Sequence, residues 1–223
     1  ITGDEFSIRK AMKTCCTYAI GSKVIEETYD YRMNIEEEEL WINNFGKDNF
    51  EKSIEVIHAV EEKFDVAYTD YSFRMLAEYL SIQLFRTRMG NVITEDIYIP
   101  ETFNRNESLV NMVVEHFEQL GKVNLNEYEK QYIDILFASA AVQTAENANK
   151  VHMISEFEEK NKEICEEMLE YLSEILNINL LDNELLRTSL EGFIPASIVR
   201  TAYGIEVKNP FLSDIREMYS GIF

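Results

Sequence analysis

Residues that make tight turns are scarce in this chain. Eight glycines and three prolines in 223 residues are too few for a sandwich or barrel with many turns, and they suit long helices. Cysteine is confined to Cys15, Cys16 and Cys165. No Cys-x-x-Cys pair occurs, and all three read as reduced core or helix-face residues. Basic residues are few as well. Lys and Arg number 21 against 41 Asp and Glu, a formal charge of −20, and they are scattered rather than clustered. So acidic a surface repels phosphate backbones and anionic lipid, which makes this chain alone a poor candidate for contact with DNA, RNA or membrane. A signal peptide and an apolar run long enough to span a bilayer are both missing. Glycine-rich phosphate loops and Gly-x-Ser-x-Gly nucleophile motifs are missing too. Nothing points to an enzyme, a cofactor or a metal.

Apolar residues are plentiful, at 46%, enough to build a buried core. They recur with a helical period along nearly the whole chain. Ile8, Met12, Cys15 and Ala19 predict an apolar stripe on a first helix. Asn34 followed by Glu36 to Glu39 reads as a cap with a solvated acidic first turn. Phe50, Ile54, Ile57 and Phe64 mark a further helix, and Phe73, Leu76, Leu80 and Leu84 another that ends near Gly90-Asn91. The irregular stretch "ITEDIYIPETFNRNES" follows. Leu109, Val113, Phe117 and Leu120 define the next helix, stopping at Gly121. Tyr128, Tyr132, Ile135 and Ser139 lead into "ASAAVQTA", whose small side chains allow a close helix approach within the domain or across a dimer. Ile164, Met168, Leu172 and Ile175 form one later stripe; Leu186, Leu190, Phe193 and Val199 form another. "NPFLSDIREMY" predicts a helix start with Asn209 as cap and Pro210 in the first turn. No alternating strand pattern appears, so the expected fold is all-α.

The chain also repeats itself. "LAEYLSIQLFRTRMGNVI" from Leu76 and "LEGFIPASIVRTAYGIEV" from Leu190 share Arg-Thr-x-x-Gly, and Arg86 and Arg200 lie 114 residues apart (200 minus 86). That shift pairs Phe64-Asp65-Val66 with Ile178-Asn179-Leu180 without a gap, and then Tyr79 with Phe193. So long a period fits two copies of one helical module.

These residues resemble the PTS regulation domain (PRD), a helical module found in pairs in bacterial regulators of sugar use. Arg200, Gly204, Ile205, Asn209, Pro210, Leu212, Ile215 and Tyr219 follow the signature of the second copy, and Arg86 and Gly90 fall at the matching points of the first. "EYEKQYIDILFASA" is similar to the later half of the first module. The opening "ITGDEFSIRKAM" resembles the segment that joins a DNA-binding helix-turn-helix region to the first PRD in activators of the mannitol-operon and Mga-like kind. The implied architecture is a tandem of PRD-like bundles. Residues 1–47 would be a helical linker from a missing DNA-binding domain, 48–150 a first module, and 155–223 a second module cut short. A chain that opens at Ile1 is then expected to be an excised piece of a larger cytoplasmic protein.

The resemblance further implies two histidines per module, phosphorylated by the sugar phosphotransferase system to shift a dimer. The first stands seven residues before the arginine, where this chain has Tyr79 and Phe193; the second of the first module falls at Leu136. None of these residues accepts phosphate from a phosphohistidine carrier or imitates its charge. The expectation is that phosphotransfer control is lost and that the three positions serve as packing. His58, His116 and His152 lie outside the acceptor motifs and read as ordinary histidines, His116 being the least implausible exception. Arg86 and Arg200, each on an apolar helix, are expected to meet a carboxylate or helix-end carbonyls.

The expected function is thus the regulatory and dimerising region of a transcription regulator, a homodimer that touches DNA through another domain and has phosphotransferase proteins as possible partners. Two alternatives remain open at this point: the PRD region of an RNA-binding antiterminator, or a helical small-molecule sensor or scaffold.

Overall fold

The computed structural model describes residues 3–16, 29–33, 35–99, 106–143, 157–205 and 217. Among them the chain is all-α, with no strand. The helices are α1 (Glu5–Cys16), α2 (Ile35–Phe45), α3 (Lys47–Phe64), α4 (Asp70–Arg88), α5 (Glu107–Gly121), α6 (Glu127–Ala138), α7 (Phe157–Leu176) and α8 (Glu184–Tyr203). Asn209, Pro210 and the helix start expected around them lie outside the described residues, as do Ala19, Asn34 and His152.

Helix α4 is the axis of the molecule. Phe73, Leu76, Leu80 and Leu84 are fully buried, as the apolar spacing predicts, and so are Ala77, Ser81, Ile82 and Gln83 on its other faces. A helix buried on nearly every side needs neighbours all round. Helices α1, α2, α3 and α6 supply them, while α5 packs across α3. Residues before position 48 take part in this core: Trp41, Ile42 and Phe45 are buried with Phe50 and Val56 in one cluster. Each large side chain so buried stabilises the fold by about 1.5–3 kcal/mol.

Three helix pairs are joined by one kind of corner. Helices α3, α5 and α7 each end on a non-glycine residue in the left-handed region: Asp65 (φ 49°), Lys122 (φ 53°) and Asn177 (φ 51°). The next amide bonds back into the last turn, from Val66 to Glu61, Val123 to Glu118 and Ile178 to Ser173, at 3.0, 3.3 and 3.2 Å. Two residues on, the amides of Tyr68, Leu125 and Leu180 donate to the side chains of those same three residues, at 2.9, 2.7 and 3.0 Å. Thr69, Asn126 and Asn183 then cap the following helix, satisfying amides that a helix start leaves without partners.

The first and third corners correspond at a shift of 112 residues (177 minus 65), whereas α4 and α8, with their caps Thr69 and Asn183, correspond at 114 (183 minus 69). The ungapped pairing of Phe64-Asp65-Val66 with Ile178-Asn179-Leu180 is therefore corrected. Leu181 and Asp182 are inserted between the αL turn and the cap, and α7 aligns with α3 two residues off the arginine register.

Small residues after α6 allow a close approach of their backbone to the first corner. Ala140 and Ala141 are buried, and their backbone runs beside the first corner. The Thr69 amide donates to the Ala141 carbonyl at 3.0 Å, Gln143 donates to Ala67 at 2.8 Å, and Ala141 donates to Ser72 Oγ at 2.8 Å.

Gly121 closes the α5–α4 contact. A Cβ built there would stand 2.6 Å from Leu84 Cδ1 and 3.3 Å from Val123 Cγ2, and Leu84 is fully buried with nowhere to retreat. Alanine would add about 1 kcal/mol of helix propensity, but overpacking a filled core costs about 1–3 kcal/mol. Gly121→Ala is accordingly expected to lower the urea midpoint by a net loss near 1 kcal/mol. A raised midpoint would show that Leu84 has room to move.

Candidate functional site

Helix α1 is held to the bundle by charge where the spacing of Ile8, Met12, Cys15 and Ala19 predicts an apolar stripe. Its buried face presents Arg9 and Lys13, while Ile8 and Met12 are only partly covered. The Arg9 guanidinium meets the Glu129 carboxylate edge to edge, Nη1 to Oε2 at 2.7 Å and Nη2 to Oε1 at 2.6 Å, and both side chains are 0% exposed. Arg9 Nε also donates to Glu5 Oε1 at 3.1 Å, and its guanidinium lies 5.1 Å from the Tyr132 ring centre. Burial alone would ease a proton off Arg9, but the Glu129 carboxylate reverses this and holds the group firmly charged.

Glu129 gathers four donors in all. Besides Arg9, Gln83 Nε2 donates to Oε2 at 2.8 Å and the Ile93 amide to Oε1 at 2.8 Å. Its own amide is capped by Asn126, whose Nδ2 in turn donates to the Ile93 carbonyl at 2.9 Å. One carboxylate thereby ties α1, α4, α6 and the chain after α4 together.

Around this centre Arg86 makes a second fork onto Glu5, at 2.8 and 2.7 Å. Burial pushes the Glu5 carboxyl up, but Arg86 and Arg9 outweigh it and hold it below the usual carboxylate range. Lys13 Nζ bonds Glu78 at 3.0 Å and stands 4.7 Å above the Tyr79 ring. Lys10 Nζ reaches across to the Tyr203 carbonyl at the end of α8, at 2.9 Å. There a basic group suits the helix dipole.

A second polar knot pins residues 29–33 to α3. Arg32 forks onto Asp30 (2.9 and 3.0 Å) and onto Glu61 (2.6 and 2.9 Å), and its guanidinium lies 3.5 Å from the Phe73 ring centre. His58 sits between the same two carboxylates, at 3.2 Å from Asp30 and 3.3 Å from Glu61. Glu38 is corrected from the solvated reading of its acidic run. It is fully buried, and its Oε1 accepts the Tyr29 and Asp30 amides at 2.7 and 3.3 Å.

Of the residues singled out from the sequence, Tyr79 and Arg86 come together on the α4 face under α1. Tyr79 is 1% exposed, and Leu136 is fully buried one turn from Tyr132. Phe193 departs from its expected packing role: at 52% exposed it faces outward, with the Arg200 guanidinium 5.0 Å from its ring centre. Among the described residues α8 has no helix over that face, as α4 has α1. Arg86 finds a carboxylate, and Arg200 a helix-end carbonyl, Ser139 at 2.7 Å. Gly90 (φ 76°) and Gly204 (φ 59°) occupy left-handed conformations after their helices, which glycine adopts freely. His116 bonds the Met112 carbonyl on its own helix at 3.1 Å.

The residues that bind α1 (Arg9, Lys13, Gln83 and Glu129) were not singled out from the sequence. Their one signal was the Glu5/Arg9/Lys13 spacing, which also describes an exposed helix face. Beside the clamp an open groove of about 820 Å³ runs along Asp4, Glu5, Arg86, Glu95 and Asp96. Its carboxylates oppose an anionic ligand, and among the described residues no group of three or more His, Cys, Asp or Glu could hold a metal ion. No helix among them is long and apolar enough to cross a membrane. Compared with family models, curated proteins and solved structures, the chain gives no match.

Proposed function

We propose that this chain is the regulatory region of a bacterial transcription regulator of the PRD kind, with phosphotransfer control lost. One observation carries the reading. Helix α1 is fastened to the first arginine-bearing helix through Glu5–Arg86 and to α6 through Arg9–Glu129, and it touches the end of the second arginine-bearing helix through Lys10. A change in the position of α8 relative to α4 is then felt by α1. In this reading α1 passes it to a DNA-binding domain on its N-terminal side, since the acidic surface itself repels nucleic acid.

Burial of Tyr79 and Leu136 supports the loss of phosphotransfer, because a carrier protein cannot reach either position. His58 is partly exposed but stands between two carboxylates, which repel an incoming phosphoryl group. Incubated with phosphoenolpyruvate and the general phosphotransferase proteins, the chain is expected to stay unlabelled while a PRD with intact histidines is labelled in the same tube. Phosphate on His58, His116 or His152 would contradict this part. The regulatory role is tested by tagging the native gene product in cells and recovering crosslinked nucleic acid. Promoter DNA is expected; leader RNA would instead favour an antiterminator, and recovery of neither would overturn the reading.

A further inference from the structure

Helix α1 is held differently from every other described helix. Of its described side chains only Arg9 and Lys13 are buried, while Phe6, Ile8 and Met12 are half-covered. The other helices anchor themselves through buried apolar groups, from Trp41 and Phe45 of α2 to Ile194 and Val199 of α8. Pulling one of those away exposes core to water, against the main driving force of folding. Pulling α1 away returns charges to water instead. Arg9, Lys13 and Glu5 regain hydration, as do Glu129, Glu78 and Arg86 in its seat, which offsets much of the attraction given up. The docked state also strands a polar group. Tyr132 meets the Phe6 ring at 5.6 Å and the Arg9 guanidinium at 5.1 Å, and among the described residues its buried hydroxyl has no hydrogen-bond partner. An unpaired buried hydroxyl is unfavourable, and release of α1 lets water reach it.

We infer that α1 is a releasable strap: it leaves its seat on α4 and α6 as a unit while the bundle stays folded, and the end of α8 holds it down. The last turn of α8 is placed to do so. Lys10 of α1 donates to the Tyr203 carbonyl at 2.9 Å. The Tyr203 hydroxyl donates to the Tyr98 carbonyl at 2.9 Å, and Arg200 to the Ser139 carbonyl at 2.7 Å. A shift of α8 away from α6 therefore takes the Tyr203 carbonyl from Lys10 and leaves α1 with its ion pairs alone. Once free, a helix of 12 residues is marginal in water, so α1 unwinds and its amides exchange with solvent. The inference goes beyond the regulatory reading and does not rest on it. Its test involves no nucleic acid, so either can fail alone.

Hydrogen exchange of the full chain, read residue by residue, tests the strap. The amides of Arg9 to Lys13, bonded within α1, are expected to exchange about tenfold faster or more than those of Leu80 to Leu84 in α4. Urea kept below the unfolding transition should hardly change the α1 rates, because release exposes little apolar surface, and should raise the α4 rates steeply. Lys10→Ala removes the bond to α8. It should speed exchange along α1 about tenfold, the worth of one charged hydrogen bond, and leave α4 unchanged. Equal rates in α1 and α4 of the parent, or α1 rates that climb with urea as steeply as those of α4, would overturn the proposal, since α1 would then leave only when the whole bundle unfolds. Exchange along α1 that Lys10→Ala does not change would overturn the part given to α8.

Discussion

Glu129→Ala is expected to cost more stability than any other single change at the α1 clamp, about 3–5 kcal/mol. For a chain of this length that lowers the melting temperature by roughly 10 °C. The loss comes less from a missing attraction than from what stays behind. Arg9 would remain charged and fully buried, with only Glu5 and the Asn91 carbonyl to bond. Gln83 and the Ile93 amide would each lose an acceptor. Arg9→Ala should cost a similar amount, since it strands Glu129 instead. Arg9→Met with Glu129→Leu removes both charges and should recover part of the loss, because a buried ion pair is worth little net against well-packed apolar groups. Recovery stays partial, as Gln83 and Ile93 still lack their acceptor. Urea denaturation of the parent, the two alanine variants and the Arg9→Ala/Glu129→Ala double measures the coupling. Additive losses would show that Arg9 and Glu129 do not depend on each other, against the geometry. Hydrogen exchange should also rise first along α1 in both single variants.

How far the sequence reached follows the same physics. Phe73, Leu76, Leu80 and Leu84 announced α4 because an apolar residue on every helical turn has few readings. Gly90 likewise marked a helix end through its chemistry. Arg9, Lys13 and Glu129 were illegible. A charged residue on a helix is ordinarily solvated, and Arg9 and Glu129 lie 120 residues apart, so no local spacing links them. Glu38 was misread for that reason as well: its acid run looked like a solvated first turn, yet two loop amides fold back onto it. The outward face of Phe193 was misread through symmetry, since its counterpart Tyr79 is covered by α1, and nothing in α8 itself reveals that such a cover is missing. The repeat was legible along α4 and α8. Across the preceding corner it was two residues out, because Leu181 and Asp182 are as apolar and polar as their neighbours and betray no insertion.

The three corners allow a graded test of which contacts set the fold, and Glu61→Ala stands at its upper end. Glu61, Glu118 and Ser173 each accept the amide seven residues on, so alanine removes one turn-closing bond in every case. A bond from an amide to a carboxylate is worth about 1.5–3 kcal/mol, and one to a neutral hydroxyl about 0.5–1.5 kcal/mol. Glu118→Ala should therefore cost near 2 kcal/mol and Ser173→Ala near 1 kcal/mol. Glu61 additionally neutralises Arg32, which is 4% exposed and packed on Phe73. Removing Glu61 leaves Arg32 with Asp30 alone and takes one carboxylate from beside His58. The expected cost rises to about 3–5 kcal/mol, the range for breaking a buried pair. Glu61→Gln separates the two contributions: its amide oxygen can still accept the Tyr68 amide but carries no charge for Arg32, so the loss should fall between those of Glu118→Ala and Glu61→Ala. Equal losses for Glu61→Ala and Glu118→Ala would mean that the Arg32 knot adds nothing to the corner, and that residues 29–33 are held by the buried Met33 and the Glu38 carboxylate instead.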